Sequence, residues 1–355
     1  MDRIALVVGA TGLTGVNLAQ ELVAGGWQTY GLARTPTTNI NGVNMVKADL
    51  LDKDSVRDAL NNVSPTHIFI TTWMRKETEA ENVLVNGTMV RNLLEVLSEK
   101  KSVEHVALVT GLKHYLGPFE AFAAKGNLTI TPLREEQPRL SLPNFYYAQE
   151  DEVYQAAARD GFTWSIHRPH TVIGKSVITL MNMGTTLAVY ASICKYKGQK
   201  FIWPGSEAQW EGLSDVTDAG ILAKQLIWAA TTKEAKNTAF NIVNGDIFRW
   251  KWLWERIAKH FNIEFEGYNG SVRTLDEQMR TDSAVWDYIV KQYGLEENNL
   301  YKLTSPWHTD LDLGRPIEVM TDMSNSRKAG FKEYQNTEES FIKLFEQLRV
   351  EKIIP

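Results

Sequence analysis

Residues 4–26, IALVVGATGLTGVNLAQELVAGG, join an apolar β-prone run to a helical pattern through GATGLTG, which carries Gly9, Gly12 and Gly15. This junction limits the fold more than any other feature of the chain. The backbone must turn from extended to helical within a few residues, and the free N–H groups of the helix start then face outward. Glycines at this spacing let the main chain turn tightly and let an anionic group come close to it. A dinucleotide pyrophosphate suits such a loop, with Gly9, Thr11, Gly12, Leu13 and Gly15 as its expected contacts.

The alternation continues. IALVV (residues 4–8), QTYGLA, VNMVKA, HIFITT (67–72), VEHVALVT and TWSIHRP (163–169) read as strands. LTGVNLAQELVAGG, DKDSVRDALNNV, ENVLVNGTMVRNLLEVLSEK and NFYYAQEDEVYQAAARDG read as the helices between them, and residues 125–143 as a loop. Strand and helix in turn predict an α/β fold, a Rossmann-type doubly wound parallel sheet. After about Gly174 the chain becomes rich in Trp, Met and Tyr and mostly helical, while AFNIVNG (239–245) still reads as a sheet strand. The expected division is a nucleotide-binding domain over 1–174, to which 212–246 returns, and an interleaved, mostly helical substrate cap over 175–355.

Composition excludes several functions. A net charge of −5 with no basic block argues against nucleic acid or an anionic membrane surface as partner. Cys194 is the only cysteine, so neither an internal disulfide nor a cysteine metal site is available, and its helical neighbours make it a structural thiol. The scattered histidines form no HExxH-like pair, and no metal is expected. No apolar run is long enough to span a membrane, and the first residues read as a strand rather than a signal peptide; a cytoplasmic protein is expected. Trp203, Trp210, Trp250, Trp252 and Trp254 sit among aliphatic residues, which reads as cap core rather than a sugar- or base-stacking surface.

The glycine spacing is one residue wider than GxGxxG and resembles the extended and atypical short-chain dehydrogenases/reductases. After the second strand, YGLARTP has no acid for ribose hydroxyls but places Arg34, with Thr35 beside it, where a 2′-phosphate would lie. NADPH (NADP+) is therefore the expected cofactor. By the same resemblance Asp49 and Leu50 flank the adenine. Thr71, Thr72 and Trp73 lie along the ribose and pyrophosphate, and Thr110 ends the fifth strand beside the cofactor.

Ligands of such sheets sit beyond the carboxyl ends of the strands, and there VTGLKHYLGPFE brings Lys113 to the cleft. The superfamily's usual site is a Tyr-x-x-x-Lys on the helix before the sixth strand. Here the fourth residue after Tyr146 is Glu150, and after Tyr147 it is Asp151, so that helix offers no lysine. Lys113 is expected to approach Tyr146 from another element. Phe145 and Tyr147 read as wall or packing residues; His114 and Tyr115 either orient Lys113 or fill the cleft edge.

TGLKHYLGPFE together with NFYYAQED closely resembles the progesterone 5β-reductase/iridoid synthase-like enzymes, and the resemblance runs through TWSIHRP, MNMGTTLAVYASICKYKG and AFNIVNGDIFRWKWLW to the terminal KIIP. It implies an NADPH-dependent oxidoreductase that reduces the C=C bond of an α,β-unsaturated carbonyl compound, an apolar enone or enal. Lys113 and Tyr146 are then the catalytic pair, with Tyr146 also at the cofactor. Trp73, Tyr115, Phe119, Met183 and His308 are the expected substrate pocket, although packing is the default for Met183 and an exposed cap loop is the alternative for His308. The chain departs from the plant members in carrying Arg34-Thr35 instead of paired arginines, which leaves room for some NADH use, and in placing His308 where an aromatic follows the tryptophan. Carbonyl reduction or sugar epimerisation on the same fold, and a non-catalytic NADP(H) sensor, are the competing readings. The sequence leaves open the physiological substrate, the stereochemistry, the source of the α-carbon proton and whether the chain forms a homodimer.

Overall fold

The structure is a computed structural model, and it describes residues 3–36, 39–118, 130–176 and 181–355. The chain divides into two compact units. The first comprises Met1–His170, Gly220–Ile242 and Asp322–Glu333; the second comprises Thr171–Ala219, Val243–Thr321 and Tyr334–Pro355.

In the first unit, strand β1 (Ile4–Val8) leads through the glycine turn into helix α1 (Leu13–Ala24), followed by β2 (Gln28–Ala33) and β3 (Val43–Lys47). Helix α2 (Lys53–Ala59) starts at Asp52, whose carboxylate accepts from the Asp54 and Ser55 N–H groups. Then come β4 (His67–Ile70), α3 (Glu79–Ser98), β5 (His105–Val109), the single turn α4 (Lys113–Leu116), α5 (Phe145–Asp160) and β6 (Thr163–Pro169). The chain builds α6 (Met183–Lys197) in the second unit, and returns as α7 (Ala219–Thr231) and β7 (Thr238–Ile242).

The strands form one parallel sheet in the order β7-β6-β5-β4-β1-β2-β3. Ala5–Val8, Ile68–Ile70 and Val106–Leu108 are fully buried, as expected for strands covered on both faces. The order reverses between β1 and β4, so their carboxyl ends open the crevice where this architecture binds ligands. Over one face, α3 starts with a capping box between Thr78 and Glu81 and packs along α5. Gly87 and Ala148 mark a close approach of these helices: a Cβ on Gly87 would stand 3.6 Å from that of Ala148.

The return of Asp322–Glu333 to the first unit has no signal in the sequence. It rests on bonds to the segment's main chain. Asp322 N–H donates to the Leu133 carbonyl, and Asn241 Nδ2 donates to the Asp322 carbonyl. Buried Glu135 accepts from the N–H groups of Asn241 and Asn325.

The second unit packs α6 against α8 (Trp250–Phe261) and α9 (Thr337–Val350). Residues 183–194 of α6 are all buried, which a helix at the centre of a core requires. Trp203 meets Trp210, Trp250 and Trp254 at ring separations of 5.1, 5.8 and 5.1 Å, so these four form cap core; Trp252 alone of the predicted set is exposed. Cys194 is buried, and burial pushes its thiol up to about 12, which makes it inert at neutral pH. Among the described residues no helix is long and apolar enough to cross a membrane, and no His/Cys/Asp/Glu cluster suits a metal.

Candidate active site

The three glycines of the β1–α1 turn have separate reasons. Gly9 has φ +87°, and a Cβ there would lie 2.6 Å from that of Thr72, so it allows both the turn and the approach of the chain leaving β4. Gly15 lies against the turn itself: its Cβ would meet the Gly9 carbonyl oxygen at 2.1 Å. Gly12 caps α1 and is open, with only the Gly9 oxygen, at 3.4 Å, near its missing Cβ. Thr11 beside it is half-buried and Leu13 packs inward. One glycine for the turn, one for close approach and one for packing is the division a pyrophosphate loop uses, and the residues present fit a dinucleotide.

Around this turn, Thr71 crosses to β1, its N–H and hydroxyl both donating to the Val8 carbonyl at 3.0 and 2.9 Å. Asn86 of α3 holds the next residues, accepting from Met74 N–H at 2.7 Å and donating to its carbonyl at 2.8 Å. The sequence reading extends the fourth strand to Thr72, but pairing ends at Ile70, and Thr71–Trp73 run on as a pinned loop. After β3, Asp49 starts the turn toward α2 by accepting from Leu51 N–H, and Leu50 is buried. Arg34 and Thr35, just past β2, are exposed, and Arg34 makes no hydrogen bond or ion pair among the described residues.

Lys113 and Tyr146 come together from different elements. α4 follows directly on β5, where Thr110 N–H extends the pairing to β6 by donating to the His167 carbonyl at 2.8 Å. The Lys113 ammonium lies 4.7 Å from the Phe145 ring centroid, 5.3 Å from that of Trp73 and 6.0 Å from that of Tyr146. Trp73 and Phe145 stack 5.1 Å apart. A cation over aromatic faces loses less on partial desolvation than one beside aliphatic carbon, which accounts for a lysine at this depth. Phe145, read from the sequence as a wall or packing residue, is buried and forms one wall of this aromatic cradle. The Tyr146 hydroxyl lies against the Gly111 main chain, 3.2 Å from where a Cβ would project. Burial raises the Tyr146 hydroxyl pKa well above the usual tyrosine value, and the Glu79 carboxylate adds to the shift. Tyr146 is therefore protonated at neutral pH.

Two residues the sequence reading passed over build this corner. Asn144 caps α5, and Glu79, at the start of α3, accepts from Phe145 N–H at 2.8 Å. Asn before the helical run NFYYAQED was a legible cap; the link to Glu79 joins residues 66 apart and leaves no local trace.

The helix position that would carry the usual lysine holds Glu150, fully buried and ion-paired. Arg139 donates to its Oε2 at 3.2 and 2.8 Å, and Arg168 of β6 to its Oε1 at 3.4 Å. His114 fills the gap beside them, its Nδ1 4.0 Å from Glu150; burial and the neighbouring Arg168 hold its pKa down to about 3. Tyr147 donates to the His114 carbonyl at 2.6 Å, which ties α4 to α5.

Tyr115 requires a correction. Expected in the substrate pocket, it is 2% exposed and turned into the core, donating to Asn241 Oδ1 at 2.7 Å and accepting from Arg168 at 3.2 Å. Met183 likewise belongs to the second unit's core, the packing role named as its default. His308 is partly buried on a short helix over Pro306–Leu313 of the second unit, its ring against Trp307, and not on an exposed loop. Phe119 lies outside the described residues.

A parallel sheet reversed at β1/β4, with a glycine turn at the reversal, defines a Rossmann-type protein. Solved structures agree on the fold. UDP-glucose 4-epimerase of Thermotoga maritima superposes with a TM-score of 0.70 at 13% identity, covering 98% of this chain and 99% of that one. The Bordetella bronchiseptica enzyme WbmH, solved in complex with NAD+, does so at 0.64 and 13%, with the same coverage. The family model described as the PRISE-like Rossmann-fold domain matches residues 39–355. The whole chain is 39% identical to 3-oxo-Delta(4,5)-steroid 5-beta-reductase of Arabidopsis thaliana, covering 94% of that relative. It is 38% identical to (S)-8-oxocitronellyl enol synthase of Nepeta cataria over the same shares. The chain belongs to the PRISE-like Rossmann-fold family, the progesterone 5β-reductase/iridoid synthase-like group that TGLKHYLGPFE and NFYYAQED resemble.

Proposed function

We propose that the protein is an NADPH-dependent oxidoreductase that reduces the C=C bond of α,β-unsaturated carbonyl compounds. The observation that carries this reading is the convergence of Lys113 and Tyr146 from α4 and α5, the ammonium 6.0 Å from the phenol ring centroid. Similarity to a named steroid 5-beta-reductase over the full chain supports the reaction class.

Reduced NADPH, when bound at the glycine turn, supplies a hydride to the substrate β-carbon. The protein's task is then the charge that develops on the carbonyl oxygen as the enolate forms. Tyr146, kept neutral by burial, donates a hydrogen bond to that oxygen, and Lys113 places a positive charge nearby. Both are in place before the charge appears, which is what makes such donors effective. Protonation of the α-carbon completes the reduction. A tyrosine held protonated suits donation to the developing enolate oxygen. Exposed Arg34 supports a preference for the 2′-phosphorylated cofactor.

The test follows NADPH and NADH oxidation with 2-cyclohexen-1-one, progesterone and an unsaturated dialdehyde, identifying products by mass. The saturated ketone or aldehyde is expected, with NADPH the better donor. An allylic alcohol would establish carbonyl reduction instead, and tight NADPH binding without turnover would favour a sensor. Tyr146→Phe is expected to lower kcat by roughly a hundredfold to a thousandfold, as for loss of one oxyanion donor; a loss of only a few-fold removes Tyr146 from the role.

A further inference from the structure

Asn144 is 3% exposed and uses both ends of its side-chain amide. Its Oδ1 accepts from Tyr146 N–H at 3.0 Å, and its Nδ2 donates to the Lys113 carbonyl at 2.8 Å. One planar amide thus spans the main chains of Lys113 and Tyr146, which lie on separate elements and 33 positions apart by number. The neighbouring bonds act on one side only: Glu79 holds Phe145 N–H, and Gly117 N–H closes the α4 turn on the Lys113 carbonyl. Tyr147 also ties α4 to α5, but through the His114 carbonyl, one residue beyond Lys113.

Resting on the reading of Lys113 and Tyr146 as the catalytic pair, we infer that Asn144 is a positioning residue that sets the separation of the ammonium and the phenol. In the common arrangement, four positions along one helix fix that separation covalently. Here the two groups ride on different elements, and a side-chain amide supplies the link. Displacement of either group by a fraction of an ångström weakens stabilisation of the enolate oxygen without changing how the dinucleotide or the substrate binds.

Capping and positioning can be separated by substitution. Asn144→Ser keeps a good helix cap but is too short to reach the Lys113 carbonyl. Asn144→Asp keeps the cap and turns a carboxylate oxygen toward that carbonyl in place of the donor. Both variants are compared with the parent for melting temperature, NADPH Kd by fluorescence titration, and kcat and KM for the enone that the parent reduces, with Lys113→Met and Tyr146→Phe run alongside. Asn144→Ser is expected to keep the melting temperature, the NADPH Kd and KM near the parent's while kcat falls by about tenfold or more, and Asn144→Asp to lose at least as much kcat. Should the acid unfold the chain, Asn144→Ser alone decides. A kcat for Asn144→Ser within twofold of the parent, with Lys113→Met and Tyr146→Phe impaired, leaves Asn144 a helix cap and overturns the inference. Parent-like turnover in Lys113→Met and Tyr146→Phe overturns the reading of the pair, and the assignment of Asn144 with it.

Discussion

A methyl group on Gly111 would stand 3.2 Å from the Tyr146 hydroxyl oxygen and 3.4 Å from the Pro169 carbonyl oxygen. The backbone does not call for glycine there, since its φ is not positive, but a Cβ at these distances makes its neighbours give by a few tenths of an ångström. Gly111→Ala is expected to fold with a near-parent melting temperature and to lose about tenfold in kcat, because the phenol must shift to make room. A parent-like kcat would show that the hydroxyl has slack. At this scale the sequence was informative where chemistry is rare: a lysine past a buried strand and a tyrosine opening a helix that lacks its lysine. It was uninformative about which way a side chain turns. Tyr115 adjoins Lys113 by two positions, yet α4 is a single helical turn and sends the two side chains to different sides, Tyr115 toward Asn241.

The elements themselves were legible. Strands β1 and β6 begin and end where the apolar pattern does, and α5 ends at Gly161, whose φ of +81° stops a helix. What holds α5 to β6 was not legible, because the Glu150–Arg168 pair forms only once both elements are in place. Removing one partner of a buried pair leaves an uncompensated charge. Glu150→Ala, which strands the buried Arg168 guanidinium, is expected to cost about 3 kcal/mol or more, seen as a lower urea midpoint. Arg139 is one-third exposed, so Arg139→Ala should cost less than half as much. Equal losses would mean that burial of Arg168 does not govern the pair.

Across the whole molecule, the sheet's cover hides a polar ladder. His105 Nε2 pairs with Ser165 Oγ at 3.0 Å, Ser165 with His167 Nε2 at 2.9 Å, and His167 Nδ1 with Gln225 Oε1 at 2.8 Å. Burial holds His105 down to about 3 and His167 to about 4, as it holds His114 to about 3. The unfolded chain protonates these rings near pH 6.5 and the folded chain does not. Their contribution is therefore complete above pH 6.5 and falls as pH drops toward 4, by on the order of 1 kcal/mol per pH unit for each histidine. Urea midpoints at pH 7, 6 and 5 should fall steadily; a flat profile would mean that these rings open to solvent without unfolding. The doubly wound order of the sheet followed from the alternation of patterns. The Asp322–Glu333 return did not, since the Leu133 carbonyl, the Asn241 amide and the Glu135 carboxylate hold its main chain and leave no mark on the segment's own residue types.

The acid on α5 also bears on where a lysine can stand. A single exchange of Glu150 for lysine would recreate the superfamily's usual tyrosine-lysine spacing, but it would replace the carboxylate that the buried Arg168 donates to by an ammonium, while Arg139 kept its pair with Asp151. Like charges side by side in a buried site oppose each other's ionisation, so the new lysine would be displaced or neutralised unless Arg168 changed with it. A lysine supplied from another element leaves this helix position to the acid that pairs with Arg168.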